Sequence, residues 1–227
     1  MFAVLKKEFK SYFLSPIGYV VIGIFLFVFS VFFYLTAINN ASVDLGALYY
    51  YTALYGLIII APILTMRMFA EERKTGTEQL ILTSPVSMVG VVLGKFLAAM
   101  CVIIVTLLAS FMYFFIVKFF GKPNILAVLV HMLGFILVSA AAISIGMFAS
   151  SITENQIIAG IITIAFLVMT LFIQDLNSIF ENLSIMNFYS YFSRGVISLK
   201  EVIGLISFTA MFISFTIIVM QRRKLVK

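Results

Sequence analysis

Charged side chains are scarce in this sequence. They make up 11% of its 227 residues, whereas hydrophobic residues make up 63%, and the mean hydropathy is +1.20. A water-soluble chain carries about 25% charged residues and less than half apolar ones. The composition therefore excludes a soluble globular domain and predicts a protein that is integral to a membrane, with membrane lipid as a partner.

Cysteine and histidine occur once each. One cysteine excludes a disulfide framework within one subunit, and one histidine excludes the paired histidines of zinc metalloproteases. We expect that histidine, His131, to be an interfacial hydrogen-bonding residue rather than a metal ligand or a proton relay. The run GVVLGKF at 90–96 is one residue short of a phosphate-binding loop and has Phe96 where that loop needs Ser or Thr. We predict no catalytic, metal or cofactor site in this chain, and hence no enzymatic activity of its own.

Six stretches of about 20 residues contain no Asp, Glu, Lys or Arg, and each is long enough to cross about 30 Å of hydrocarbon as a helix. The predicted spans are residues 17–38, 47–66, 96–117, 125–150, 156–173 and 202–220. The sequence lacks the alternating ten-residue segments of a membrane barrel, so helices must satisfy the backbone in lipid. The predicted fold class is therefore all-α, a polytopic membrane protein with six transmembrane helices.

Basic residues are distributed unequally between the two ends of these spans. Eleven of the 15 Lys and Arg fall on one side of the predicted bundle, and only Lys118, Lys122, Arg194 and Lys200 fall on the other. The positive-inside rule places the first side in the cytoplasm. The sequence thus predicts a multi-pass protein of the cell (inner) membrane with cytoplasmic N- and C-termini. The net charge of +6 is a topological signal, and we predict no nucleic-acid partner.

Two segments outside the spans mix apolar and polar residues. Residues 1–15 have the spacing of an amphipathic helix that ends at Pro16 and would lie in the cytoplasmic interface. A basic flank that only sets topology explains the same residues. Residues 174–201 are too polar to cross a membrane and too apolar to be free in water. We expect them to form an extracellular, re-entrant cap on the other helices.

The most polar stretch of the chain is the predicted cytoplasmic loop at 67–95. Its acidic residues are Glu71, Glu72 and Glu78. Thr77 can cap a short helix that begins with Glu78 and ends at a Ser84-Pro85 break. Such a helix, held under the membrane with charged flanks, is suited to docking into another protein. A solvated turn is the alternative, and on these residues alone it is the more common case.

Small residues recur at four-residue spacing on two spans. Gly90 and Gly94 begin the third span, and Ala142, Gly146 and Ser150 repeat the spacing on the fourth. This spacing allows helix backbones to approach closely. We predict close helix packing at these positions, within the subunit or with a second chain.

The polar loop resembles a known family. The run FAEERKTGTEQL at 69–80, followed by SPV at 84–86 and GKFL at 94–97, is similar to the second-span exit, coupling helix and third-span start of ABC transporter permeases of the type-2 exporter family. The run KEFKSYFLSPIGY at 7–19 resembles, more narrowly, the interfacial helix of gliding-motility-type (GldF-like) permeases.

The resemblance implies a permease subunit of an ATP-driven transporter that has no ATPase of its own. It implies a second permease chain, in a homodimer or heterodimer, and a separate ABC ATPase subunit that holds ATP and magnesium. It also implies a set of residues that form the ATPase-coupling interface: Glu71, Glu72, Arg73, Gly76, Thr77, Glu78 and Leu80. A non-transporting membrane scaffold or assembly component and an ATP-independent carrier are the alternatives. A carrier would need intramembrane charges or matched unwound half-helices, which the sequence lacks.

Overall fold

The computed structural model describes residues 1–40, 42–83, 86–176 and 184–226, and gives side chains for all of these except 81–83, 171–176 and 225–226. The predicted Ser84-Pro85 break and residues 177–183 of the predicted cap lie outside the described residues. Within them the chain forms eleven α-helices and two π-helical turns. In chain order the helices are α1 (Phe2–Leu14), α2 (Ile17–Phe33), α3 (Gly46–Tyr51), α4 (Leu57–Thr65), α5 (Ala70–Lys74), α6 (Glu78–Thr83), α7 (Met88–Phe120), α8 (Ile125–Ile152), α9 (Gln156–Leu176), α10 (Ile185–Ser193) and α11 (Leu199–Val226).

Five helical stretches of the described chain are long and apolar enough to cross a membrane. They are Ile17–Ile38, Gly46–Lys74, Met88–Phe120, Ile125–Ile152 and Leu199–Lys224. Helix α9 covers the fifth predicted span, 156–173, and its part Gln156–Thr170 is apolar. The predicted all-α polytopic fold is confirmed, and the count of six spans stays a prediction.

Side-chain caps and π-helical turns shape the ends of these stretches. The Ser87 hydroxyl accepts from the Gly90 amide at 3.2 Å, and the Asn124 side chain accepts from the Leu126 amide at 3.0 Å. These contacts satisfy amides at the starts of α7 and α8. Helix α2 runs into a π-helical turn, Tyr34–Ile38, and a second such turn, Thr52–Gly56, joins α3 to α4.

An aromatic cluster joins four helices in the bundle. The Phe29 ring lies 5.2 Å from that of Tyr49 and 4.9 Å from that of Tyr113, and the Phe25 ring meets that of Phe135 edge to face at 5.6 Å. Lipid tails are as apolar as these side chains, so packing and ring geometry must hold α2, α3, α7 and α8 together.

The N-terminal helix α1 lies against the start of α7. A methyl group at Gly94 would lie 3.1 Å from Val4 Cβ, and one at Gly90 would lie 3.6 Å from the Met1 nitrogen. The Tyr12 hydroxyl donates to the Leu64 carbonyl at 3.0 Å. Partial burial, aided by the nearby Glu8 carboxylate, raises the pKa of the Tyr12 phenol and so keeps it a neutral donor.

The small residues of α8 face α4 and α9. Ala142 is 2% exposed, and a methyl group at Gly146 would overlap the Thr65 hydroxyl and lie 3.0 Å from Thr163 Cγ2. Gly94 and Gly146 therefore lie at close contacts between elements of this one subunit, and Gly90 lies in ordinary van der Waals contact with Met1.

The described part of the predicted cap, 174–201, comprises the end of α9, helix α10 and the start of α11. Helix α10 packs at the opposite end of the bundle from α5 and α6. The buried His131 Nδ1 lies 2.7 Å from the Phe192 carbonyl. A methyl group at Gly134 would overlap the Phe192 side chain, and one at Gly46 would overlap the Ser193 carbonyl. His131 thus ties α8 to α10 through a hydrogen bond.

We predict that Gly146→Ala destabilises the protein by about 1–3 kcal/mol, the usual cost of overpacking. The matched control is Gly23→Ala, since a methyl group there meets no atom within 4 Å and alanine favours a helix by up to about 1 kcal/mol. Thermal unfolding midpoints in detergent compare the two variants. Equal midpoints for both would contradict the close α4/α8 contact.

Candidate functional site

The charged segment, residues 70–83, consists of α5, a three-residue turn and α6. Acidic residues stand in the first turn of α5 and basic residues in its last turn, as the helix dipole favours. Gly76 adopts φ +74°, a left-handed conformation that glycine adopts without steric cost. Helix α6 then begins at Glu78, and the Thr77 hydroxyl donates to the Glu72 carbonyl at 3.3 Å.

A buried lysine ties this segment to two other helices. Lys95 lies in α7 with its side chain 2% exposed, and its Nζ is 2.7 Å from Glu72 Oε1 and 3.2 Å from Glu8 Oε1. The ammonium also lies 5.3 Å from the centre of the Phe69 ring. The Lys95 cluster, defined as Lys95, Glu72 and Glu8, therefore joins α1, α5 and α7 at one point.

The charges of the Lys95 cluster are balanced from two sides. One buried cation faces two carboxylates, and the exposed Lys7 Nζ approaches Glu8 Oε1 at 3.8 Å. An ammonium taken out of water costs several kcal/mol unless paired. The two carboxylates supply that pairing, and Lys7 offsets the second negative charge.

Two arginines bind the carboxyl end of α8. Arg73 donates to the Ile152 carbonyl at 3.0 Å and pairs with Glu154 at 2.8 Å. Arg223, from α11, donates to the Ser151 carbonyl and pairs with Glu78 at 3.2 Å. The last carbonyls of a helix lack intrahelical donors and attract cations. The end of α8 thus connects the charged segment to α11.

A serine of α8 satisfies the backbone of the turn that leads into the segment. The Ser150 hydroxyl accepts from the Phe69 and Ala70 amides, both at 3.1 Å, and donates to the Met66 carbonyl at 3.2 Å. Ser150 is fully buried, so without it these groups would have to find other partners away from water. The hydroxyl fixes the direction in which α5 leaves α4.

The opposite face of the segment is open. Lys74, Thr75, Gly76 and Thr77 are exposed, and Leu80 is 72% exposed. Beside it, α1, α4 and α5 enclose a polar cleft of about 320 Å³. The segment therefore has one anchored face and one open face.

The seven residues predicted for coupling divide between these faces. Glu72, Arg73 and Glu78 turn inward and form the ion pairs above, with Glu78 only 7% exposed. Gly76, Thr77 and Leu80 lie on the open face, and Glu71 makes a half-exposed pair with Arg67 at 3.7 Å. The structure brings all seven into one continuous segment.

Sequence reasoning does not assign an anchoring role to the residues that hold the segment. Glu8, Lys95, Ser150 and Arg223 lie on four other elements, and the Glu78 and Arg223 positions are 145 residues apart. One signal was available. Lys95 directly precedes a charge-free span, at a place where an unpaired cation would be costly.

The chain matches the family described as ABC-2 family transporter protein over residues 2–195. It belongs to that family. The resemblance to ABC-2 transporter permeases is thereby confirmed at the level of the family, whose members are membrane transport components that generally work with an ABC ATPase and often dimerise. No curated protein matches the chain. As an ABC-2 transporter protein with several apolar helices, it is an integral membrane protein.

We predict that Lys95→Met destabilises this ABC-2 protein by on the order of 3 kcal/mol, because it leaves Glu72 and Glu8 without their cation. The matched control is Arg67→Gln, which removes a half-exposed ion pair worth less than about 1 kcal/mol. Thermal unfolding in detergent measures both. Combining Lys95→Met with Glu72→Gln and Glu8→Gln should recover much of the loss. A Lys95→Met protein as stable as the Arg67→Gln control would contradict the structural role of the cluster.

Proposed function

We propose that this chain is the membrane-spanning permease subunit of an ATP-driven ABC exporter and that the charged segment is its interface with a separate ATPase subunit. The observation that carries the proposal is the division of the segment into an open face and a face anchored to four helices by ion pairs and hydrogen bonds. ATP and magnesium belong, in this proposal, to the partner ATPase. Family membership supports the transport role.

The anchors give the segment a route to the rest of the bundle. The Lys95 cluster would transmit a displacement of the open face to α1 and α7. Arg73 would transmit it to α8, and the pair of Glu78 with Arg223 to α11. Transport requires two arrangements of the spans that differ in their affinity for the nucleotide state of the partner. The proposed role of the segment is to link the two.

We further propose that a second permease chain, identical or not, completes the translocation path. In the most apolar part of Leu199–Lys224 only 17% of the residues are buried inside this chain, and in that of Ile17–Ile38 only 33% are. These faces are available to lipid or to the second chain. The proposed orientation puts the charged segment and both termini in the cytoplasm of a cell (inner) membrane, which the uneven distribution of basic residues supports.

The narrower assignment to gliding-motility-type (GldF-like) permeases is also a proposal. Its support is the run at 7–19, in which α1 ends before Pro16 and α2 begins directly after it. The Glu8 of this run belongs to the Lys95 cluster. The interfacial helix is thereby connected to the proposed coupling site.

We predict that an ABC ATPase co-purifies with the tagged chain, extracted gently from its native membrane, at one copy per permease by quantitative mass spectrometry. Leu80→Asp should lower the ATPase recovered at least about tenfold, the effect of 1.4 kcal/mol, because it places a charge on the open face. The matched control is Leu199→Asp, which changes a leucine of similar exposure, 78%, at the opposite end of the bundle. Reproducible absence of an ATPase from the intact wild-type complex would favour a membrane scaffold or an ATP-independent carrier instead.

We predict that Gly76→Pro lowers the ATPase rate of the reconstituted complex at least about tenfold while the protein still inserts in the membrane. Proline fixes φ near −65° and removes the amide that donates to the Arg73 carbonyl at 3.2 Å. Strained backbone of this kind costs about 1–3 kcal/mol, and 1.4 kcal/mol is a tenfold change in rate.

The conservative control at the same position is Gly76→Asn, since asparagine tolerates the left-handed conformation. Its complex should retain most of the wild-type ATPase rate. A Gly76→Pro complex as active as the Gly76→Asn complex would argue against coupling through this turn.

A further inference from the structure

An apolar groove of about 350 Å³ lies at the end of the bundle opposite the charged segment. Ala37 and Ile38 of the first π-helical turn form one wall, Val117 and Phe120 of α7 form the other, and Val43 lines it from the connection to α3. The volume is within the range of about 300–1,000 Å³ that is typical of small-ligand sites.

The backbone is irregular where the groove opens. The π-helical turn Tyr34–Ile38 departs from the regular helix of α2 at the level of the groove, and such turns occur frequently at functional sites. A methyl group at Gly121 would lie 2.6 Å from Val43 Cγ1. The absence of a side chain at Gly121 thus lets the connection to α3 approach the end of α7 and close the groove on that side.

Two lysines stand at the rim. Lys118 and Lys122 are exposed and line a surface hollow that shares Phe120 with the groove. In the part of the chain that the structure describes, neither amine is paired with a carboxylate. Asp44, which follows the groove residue Val43, accepts from the Gly46 amide at 2.9 Å. These lysines are two of the four cations on this side, where the positive-inside rule disfavours them.

We propose that this site binds a phospholipid with a net negative headgroup. One acyl chain lies in the groove, and the phosphate lies between Lys118 and Lys122. Lysines that reach past apolar side chains to a membrane surface favour anionic lipids, whereas the choline group of a zwitterionic lipid adds a cation that they repel. The proposal stands apart from ATP-driven transport, because the lipid contact requires no partner ATPase.

The absence of tryptophan from the sequence allows a local test. Phe120→Trp places a single tryptophan fluorophore at the groove, where the native Phe120 side chain is 88% exposed. The matched control is Leu199→Trp, at the same end of the bundle, next to the exposed Lys200 but outside the groove. Each variant is reconstituted in phosphatidylcholine vesicles that contain either phosphatidylglycerol or phosphatidylcholine with brominated acyl chains as quencher.

At Phe120→Trp, we expect brominated phosphatidylglycerol to bind at least about fivefold more tightly than brominated phosphatidylcholine, the effect expected of one lysine at an anionic lipid surface. At Leu199→Trp the two lipids should differ by less than twofold. Adding Lys118→Gln and Lys122→Gln should remove the preference at Phe120→Trp, whereas Lys200→Gln should leave it unchanged. Ala37→Phe, which fills the groove, should weaken quenching by both lipids.

An equal preference at both fluorophores, or one that survives loss of both lysines, would overturn the proposal. Competition by soluble glycerol phosphate would overturn the lipid assignment in favour of a free phosphate compound. Native mass spectrometry of the protein without tryptophan gives a second measurement. The number of phosphatidylglycerol molecules retained per protein should fall in the Lys118→Gln/Lys122→Gln variant and not in the Lys200→Gln variant. An unchanged number in the Lys118→Gln/Lys122→Gln variant would likewise contradict the site.

Discussion

The buried ammonium of Lys95 is the interaction on which the rest of the charged end depends. A cation with 2% of its side chain exposed requires carboxylates close by, and it obtains them from α1 and α5. Helix α1 has no buried residue of its own, so its position rests on partly buried contacts such as the Glu8 and Tyr12 bonds. The lysine therefore fixes the N-terminal helix and the charged segment together, relative to α7.

The same constraint, that polar groups near lipid must be satisfied within the protein, explains the rest of this end. In the turn between α4 and α5, the Phe69 and Ala70 amides and the Met66 carbonyl would otherwise lack partners, and the Ser150 hydroxyl bonds to all three. The carbonyls that end α8 receive Arg73 and Arg223. Each of these hydrogen bonds uses a side chain from another element, so the bonds that satisfy the local backbone also determine the tertiary arrangement.

Local features of the fold could be predicted from the sequence, and long-range pairs could not. The break at Pro16, the turn at Gly76 and the start of α6 at Glu78 follow from turn and capping chemistry that acts within a few residues. The 87-residue separation of Glu8 and Lys95 carries no such local signal. Their pairing depends on how α1 packs on α7, which single-sequence patterns do not contain.

The start of α7 shows how a tertiary contact overrides a sequence criterion. The charge-free stretch that predicts the third span begins at residue 96, because Lys95 is charged. The helix begins instead at Met88, since the cluster neutralises Lys95 and Ser87 caps the first turn.

The strengths of these contacts decide what a displaced segment does. Breaking the Lys95 cluster would leave buried charges unpaired, at a cost of several kcal/mol, whereas the half-exposed pair of Arg67 with Glu71 is worth less than about 1 kcal/mol. A small displacement of α5 therefore loses the surface pair first and carries α1 and α7 with it. Arg73 holds α8 through its hydrogen bond to the Ile152 carbonyl, and Glu78 holds α11 through its pair with Arg223. The spans must therefore move together with the segment or oppose its movement together.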